Sequence, residues 1–199
     1  MRLAERLRRA LENGARTGPL LVGDDIAESL RLRPEGHWPA AVLVPVVDRP
    51  DPGVILTLRA EDVRRHAGQI SFPGGRIDPD DDGPVAAALR EAEEEVGLPR
   101  SQVEVVGVAD PYHTITGFEV TPVLGVVPPD LPLRPQPQEV AAIFEAPLSF
   151  VLDPKNQVVR TVHWQGRERT YYEIEWEGWR IWGATAAMIV NLGRRLALS

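Results

Sequence analysis

Carboxylates dominate one short stretch of the chain. Between Asp78 and Glu95 there are eight acidic residues and one base, Arg90, which makes a local net charge of −7. The whole chain also has a net charge of −7, so the other 21 acids (29 − 8) and 21 bases (22 − 1) balance one another. An excess of negative charge confined to 18 residues favours a strongly positive ligand.

The second half of this stretch predicts a helix over residues 85–96 whose apolar and acidic residues occupy different faces. At 100° per residue the core-facing stripe is formed by Val85, Leu89, Ala92 and Val96. Glu91, Glu94 and Glu95 fall together on the opposite side, clear of the core, while Glu93 points sideways beside Arg90. Three carboxylates are therefore expected on one exposed turn.

Like charges three and four positions apart on a helix repel one another. A solvated acidic surface explains such a pattern, and so does a bound cation. Oxygen ligands without Cys or His favour a hard cation, Mg²⁺ first, with Mn²⁺ or Ca²⁺ as alternatives. The neighbouring Gly74-Gly75 turn and a basic segment upstream favour the cation.

Composition limits the other classes of function. The length suits one domain over residues 1–199, with a helix and an irregular extension in 1–37 and a helix at 183–198. The absence of cysteine excludes disulfides and thiolate ligands, and it fits a reducing compartment, so we expect a cytoplasmic protein. The acidic balance argues against nucleic acid as a partner, and the longest apolar runs are too short to span a membrane. Four late tryptophans suit packing in the core or in a homodimer, which stays open.

The remaining pattern predicts an α+β fold. Besides the acidic helix, we expect helices at 2–12 and 183–198 and strands at 40–47, 54–59, 70–72, 103–109, 119–127, 139–144, 158–164 and 170–176. The first two long strands are expected to form a hairpin, and the last two a hairpin around Gly166. The five prolines in 128–137 predict a surface crossing or a lid. Few βαβ crossovers fit this order, so the predicted architecture is an α/β/α sandwich around a mixed sheet.

The nine residues from Arg90 to Leu98, REAEEEVGL, resemble the second half of the Nudix box, in which Arg-Glu is followed by a hydrophobic residue, a Glu pair and Gly. The first half departs from that pattern. Gly75 lies fifteen residues before Arg90 where the box has fourteen, and Asp81 or Asp82 stands near the position of the expected Glu.

A second motif explains the departure. Residues 56–60, LTLRA, followed by Arg64, Gly68 and the FPGG of 72–75, resemble the coenzyme A pyrophosphatase branch of the Nudix hydrolases, whose box is aspartate-rich and one residue longer. The segment 181–186, IWGATA, is similar to that branch as well. The resemblance extends roughly from residue 42 to 187.

This resemblance implies a Nudix-type fold and roles for named residues. Metal ligands are Glu91, Glu94, Glu95 and a backbone carbonyl at Gly75. The catalytic group comprises Glu91, Glu94, Arg90, which orients the carboxylates, and Glu139, which follows the proline-rich segment as metal ligand or base. Substrate phosphates are expected to meet Arg59, Arg64, His66 and the backbone at Gly74, because a guanidinium matches phosphate geometry.

The implied activity is Mg²⁺- or Mn²⁺-dependent hydrolysis of coenzyme A or its derivatives to 4′-phosphopantetheine, or its acyl form, and 3′,5′-ADP. One alternative keeps the chemistry and changes the small-molecule nucleotide to ADP-ribose, a dinucleotide or a nucleoside triphosphate. Another is a non-catalytic, nucleotide-binding regulator that has retained the box.

Overall fold

A mixed β-sheet forms the centre of the protein, in a computed structural model that describes residues 1–13, 18, 20–23, 36–60, 68–164 and 166–196. Its strands are β1 (Trp38–Val47), β2 (Gly53–Arg59), β3 (Ile70–Ser71), β4 (Gly74–Arg76), β5 (Glu104–Val108), β6 (Tyr112–His113), β7 (Phe118–Val127) and β8 (Val140–Pro147). The order is β3-β2-β1-β7-β5, with β8 on β2, β4 on β1 and β6 on β7.

Strand β1 is the centre of this sheet because it is apolar on both faces. It runs parallel to β7 along its whole length, from Trp38 opposite Phe118 to Val47 opposite Val127. The predicted hairpin with β2 is present, but its register joins β1 and β2 only next to the turn. The other end of β1 pairs with β4, which places Gly74 beside Val42.

Helices cover both faces of the sheet. They are α1 (Leu3–Asn13), α2 (Gly83–Val96), α3 (Leu148–Leu152) and α4 (Ala184–Leu196). Helix α2 packs with Leu43, Val123 and their neighbours on one face, whereas α1 and α4 enclose the larger apolar cluster on the other. The prediction of an α+β sandwich around a mixed sheet is therefore confirmed. Within the described residues, none of the helices is long and apolar enough to cross a membrane.

A second sheet of three antiparallel strands lies beside α4. It contains β9 (Val158–Trp164), β10 (Arg167–Trp176) and β11 (Trp179–Trp182) in the order β11-β10-β9. The hairpin expected around Gly166 is thus present, with β11 as an additional strand. Trp179 stacks on Phe144 with ring centroids 4.4 Å apart, and Trp176 packs against Phe150.

Small residues let α2 lie close to the sheet. Ala87, Ala88 and Ala92 are fully buried, so the helix approaches where a longer side chain would hold it away. The helix ends at Gly97, whose φ of 66° is left-handed and suits glycine at a C-terminal cap. This helix begins two residues earlier than the sequence indicates, with Pro84 in its first turn.

The proline-rich segment closes the C-terminal end of α2. The N–H groups of Arg134 and Gln136, which alternate with prolines, donate to the carbonyls of Val96 and Glu95 at 2.9 and 2.8 Å. Carbonyls in the last turn of a helix lack partners within the helix, so this crossing satisfies two of them. Most of the predicted irregular extension up to residue 37 lies outside the described residues, as do residues 197 and 198 of the predicted C-terminal helix.

Candidate active site

Glu95 is not on an exposed face, which corrects the expectation that all three carboxylates lie clear of the core. Its residue exposure is 3%. One carboxylate oxygen accepts from the backbone N–H of Gly74 at 3.0 Å, and the other lies 3.5 Å from an Nη of Arg59. The helix geometry placed Glu95 on the correct side, but β4 covers that side.

Arg90 lies at the centre of the acidic stretch. Its Nη1 donates to Glu91 at 2.9 Å and to Glu94 at 3.3 Å. Its Nε and Nη2 form a bidentate pair with Asp81 at 3.0 and 2.8 Å. The Nη2 also donates to the carbonyl of Arg76 at 3.1 Å. The guanidinium therefore connects the aspartate loop, strand β4 and the helix.

Glu93 has a different partner from the one expected. It accepts from Arg100 at 2.8 Å. The sequence placed Glu93 beside Arg90, but its ion pair is with Arg100, because the 3₁₀ turn after Gly97 brings this second arginine to it.

Asp81 is the residue that sequence reasoning undervalued. The hydrogen bonds from Arg90 are the main cause that lowers the pKa of Asp81 to about 2, with the Asp78 backbone N–H contributing. Counting back from Arg90 places the Glu position of the Nudix box at Asp82, whereas counting six residues forward from Gly75 places it at Asp81. The forward count is the one that identifies the residue paired with Arg90.

Gly74 and Gly75, the first two residues of β4, lie directly against the carboxylates. A Cβ on Gly75 would come within 2.5 Å of a Glu91 carboxylate oxygen. A Cβ on Gly74 would collide with the backbone of Ala41 and Val42. Only glycine therefore fits at position 74 where β4 pairs with β1, and the missing side chain of Gly75 leaves room for the Glu91 carboxylate.

Burial opposes ionisation of the two inner carboxylates. Desolvation is the main cause that raises the pKa of Glu95 to about 7, and the hydrogen bond from Gly74 and the charge of Arg59 only partly offset it. Desolvation likewise raises the pKa of Glu91, against the hydrogen bond from Arg90. Repulsion from Glu91 also raises the pKa of Glu95, repulsion from Glu94 raises the pKa of Glu91, and the charge of Glu139 raises both.

Glu139 is exposed in the turn before β8 rather than in the strand. Its carbonyl accepts from Ala60 at 2.9 Å, which fixes its backbone beside the end of β2. Its charge acts on Glu91 and Glu95, so the fold brings it to the same site. Arg64 and His66 lie outside the described residues.

The donor set matches a divalent cation in chemistry but is not gathered around one. Glu91, Glu94 and Glu95 offer only carboxylate oxygens. Glu95 is buried and Glu91 is half-buried, and the repulsion of Glu95 by Glu91 is one that a cation would relieve. Among the described residues, no three acidic or imidazole side chains converge closely enough to hold a metal ion. Arginines instead contact all three carboxylates.

An α/β/α sandwich with an acidic helix held against a Gly-Gly turn defines a class of protein, and comparison with known proteins agrees. The NUDIX domain family model matches residues 37–171, more than half of the chain. The chain belongs to the Nudix family. It is accordingly an enzyme, a Nudix pyrophosphohydrolase, as the sequence predicted.

Similar proteins include the Nudix hydrolases NudL of Shigella sonnei (strain Ss046) and of Escherichia coli (strain K12). Each is 42% identical over 185 residues, which cover 90% of this chain and 96% of the relative. Among solved structures, the M. smegmatis Nudix hydrolase RenU gives a TM-score of 0.49 at 27% identity, over 57% of this chain and 73% of that one. A C. elegans Ap4A hydrolase binary complex gives a TM-score of 0.48 at 19% sequence identity, over 55% of this chain and 80% of that one.

Proposed function

We propose that this enzyme hydrolyses the pyrophosphate bond of coenzyme A or its thioesters, with Mg²⁺ or Mn²⁺, in the cytoplasm. The products are 3′,5′-ADP and 4′-phosphopantetheine or its acyl form. The observation that carries this proposal is the position of Arg59. Arg59 is the arginine of the LTLRA motif, and its guanidinium lies against Glu95, which also accepts a hydrogen bond from Gly74 of the FPGG segment. The two halves of the branch-like signature therefore meet at one site.

Glu91, Glu94 and Glu95 are the residues that hold the cation in this proposal, with a backbone carbonyl at Gly75. Nudix hydrolases generally use divalent ions such as Mg²⁺ or Mn²⁺. A bound cation neutralises the diphosphate and acidifies water. Arg90 orients Glu91 and Glu94 through its shared Nη1, and Asp81 in turn holds Arg90.

Glu91 and Glu139 are the two candidates to accept the proton of the attacking water. Glu91 is half-enclosed and contacts Arg90, whereas Glu139 is exposed at the mouth of the site. The dependence of kcat on pH in Glu91→Gln and Glu139→Gln distinguishes them, because only loss of the base removes the acidic limb of the profile.

Arg59, Arg64 and His66, with the backbone at Gly74, bind the phosphates in this proposal. Coenzyme A carries a 3′-phosphate beyond its diphosphate, and a basic segment is suited to bind it. The experiment compares coenzyme A with dephospho-coenzyme A. We expect kcat/KM to fall for the dephospho form, and that difference to shrink in Arg64→Gln. Equal turnover of both compounds would contradict the assignment of coenzyme A.

A panel of ADP-ribose, a diadenosine polyphosphate and a nucleoside triphosphate measures the alternative substrates under the same conditions. Preference for one of these compounds would retain pyrophosphate hydrolysis as the reaction and replace coenzyme A as the substrate. Absence of metal-dependent turnover on the whole panel would favour the regulator.

A further inference from the structure

Within the described residues, two arginines contact the three carboxylates of the site, and they are held very differently. Arg90 is anchored by a bidentate pair with Asp81 and by the carbonyl of Arg76, and its side-chain exposure is 17%. Removing its contacts to Glu91 and Glu94 would leave these anchors in place. Arg90 is therefore a fixed part of the site, whatever binds to the carboxylates.

Arg59 has no comparable anchor in the described part of the chain. There its side chain contacts one carboxylate, with Nη1 3.5 Å from Glu95, which is long for a hydrogen bond. Its Nε is buried and has no hydrogen-bond partner among the described residues. A buried donor without a partner is costly, so this arrangement leaves the guanidinium with unused capacity for an acceptor.

The backbone of Arg59 is fixed while the side chain has a route outward. Its N–H donates to Gln69 at 2.9 Å, and its carbonyl accepts from Gly68 at 3.2 Å, at an irregularity in the pairing of β2. The side chain keeps 23% of its exposure, whereas Glu95 keeps 3%. The guanidinium can thus turn toward solvent about a fixed Cα, but the carboxylate cannot follow it.

The ionised Glu95 carboxylate needs a positive partner both without and with a bound cation. Burying a carboxylate without one is costly. In the structure that partner is Arg59, and in the proposed function it is the cation held by the same carboxylate. Two positive charges at a single carboxylate repel each other, so they are expected to exclude one another.

We propose that Arg59 is the counter-charge of Glu95 in the metal-free protein, and that cation binding displaces it toward the substrate diphosphate. Arg59 then has two successive roles. It first positions Glu95 by pairing with its carboxylate, and after displacement it donates from its Nε and Nη groups to phosphate oxygens. This inference rests on the metal site of the proposed function.

The test measures Mn²⁺ binding in the absence of substrate at pH 7.5. Electron paramagnetic resonance of the free Mn²⁺ gives the dissociation constant. Removal of a competing charge strengthens metal binding, so Arg59→Gln should lower the Mn²⁺ dissociation constant on the order of tenfold. Arg100→Gln is the matched control, because it removes the same charge from the partner of Glu93 on the same helix. Its dissociation constant should change by less than about twofold, since exposed charges are screened.

The outcomes separate this inference from the proposed function. Glu95→Gln should lose Mn²⁺ binding, which establishes that the ion observed is the one at this carboxylate. Unchanged or weaker binding in Arg59→Gln, with loss in Glu95→Gln, overturns the exchange and leaves the proposed function standing. Absence of Mn²⁺ binding to the unsubstituted protein overturns both.

A second measurement applies to the unsubstituted protein and does not depend on how Arg59→Gln folds. Phenylglyoxal modifies accessible guanidinium groups, and peptide mass spectrometry locates the modified residues. Saturating Mn²⁺ should accelerate modification of Arg59 and leave that of Arg49, paired with Asp130 and Glu145, unchanged. An unchanged or slower rate at Arg59 overturns the proposal.

Discussion

At the scale of single residues, the site depends on a chain of contacts from Asp81 through Arg90 to Glu91 and Glu94. Asp81 is shorter than the Glu of the usual box, yet it pairs with Arg90 through both oxygens. A bidentate pair fixes the plane of the guanidinium, and that plane sets the direction of the Nη1 hydrogen bonds. A residue remote from the substrate thereby orients two carboxylates.

Asp81→Asn should lower kcat by about 10- to 100-fold, the range typical for partners that orient metal ligands. The amide cannot accept from both nitrogens of Arg90 in the same geometry. Steady-state kinetics at saturating Mg²⁺ measures the effect, and Asp80→Asn, an exposed neighbour, should retain activity. Equal losses in the two variants would show that loop charge, rather than the Arg90 contact, matters.

The three glutamates at the end of α2 provide a comparison within one helical turn. Glu94→Gln and Glu95→Gln should each lower kcat/KM by more than about 100-fold, because each removes a charged ligand. Glu93→Gln removes the same charge from a side chain that pairs with Arg100 outside the site, and it should retain activity. Circular dichroism checks that all three variants are folded. Full activity in either of the first two variants would contradict the ligand set.

At the scale of elements, the proline-rich segment supports the helix that carries the site. Its prolines lack N–H groups, and the residues between them supply the donors to the end of α2. Leu131 and Leu133 also pack against the apolar cluster beneath that helix. The segment therefore fixes the turn of α2 that contains Glu95 and leads directly to Glu139.

Gln136→Pro should lower the free energy of unfolding by about 1–2 kcal/mol, because it removes the N–H that donates to the Glu95 carbonyl. Gln136→Ala keeps that N–H and should stay within about 0.5 kcal/mol of the unsubstituted protein, as surface substitutions usually do. Urea unfolding measures both. A loss in the alanine variant as large as in the proline variant would assign the effect to the side chain.

At the scale of the whole molecule, the buried carboxylates make stability depend on pH. Folding raises the pKa of Glu95 from 4.5 to about 7 and also raises that of Glu91. Stability from a raised carboxyl pKa is complete below the unfolded value and is lost as pH rises through the folded value. The lowered pKa of Asp81 acts only at more acidic pH, from 3.8 toward 2.

The metal-free protein should therefore be less stable at pH 8 than at pH 5, by roughly 2–3 kcal/mol from Glu95. Glu95→Gln should remove most of that difference. Mg²⁺ should restore stability at pH 8, because it binds the ionised carboxylates of the folded state only. Urea unfolding in the presence of a chelator measures the dependence, and greater stability at pH 8 than at pH 5 would contradict it.

The single domain over residues 1–199 and the homodimer stay predictions.

The sequence by itself determined the secondary structure around the site and the chemistry of its ligands. Helical periodicity separated Glu91, Glu94 and Glu95 from the core stripe, and Gly97 marked the end of the helix, because both are local properties of backbone geometry. The acidic charge and the absence of cysteine limited the ligand to a hard cation, because the chemistry of the donor atoms is a property of side-chain type.

Only the tertiary structure decided which of these side chains face water and which charges meet. Glu95 is buried because β4, recruited by the pairing of Gly74 with Val42, covers its side of α2. Its partner Arg59 comes from a strand 36 residues earlier in the chain. Burial and long-range pairing depend on how strands and helices stack, and helical periodicity within one segment carries no information about its neighbours.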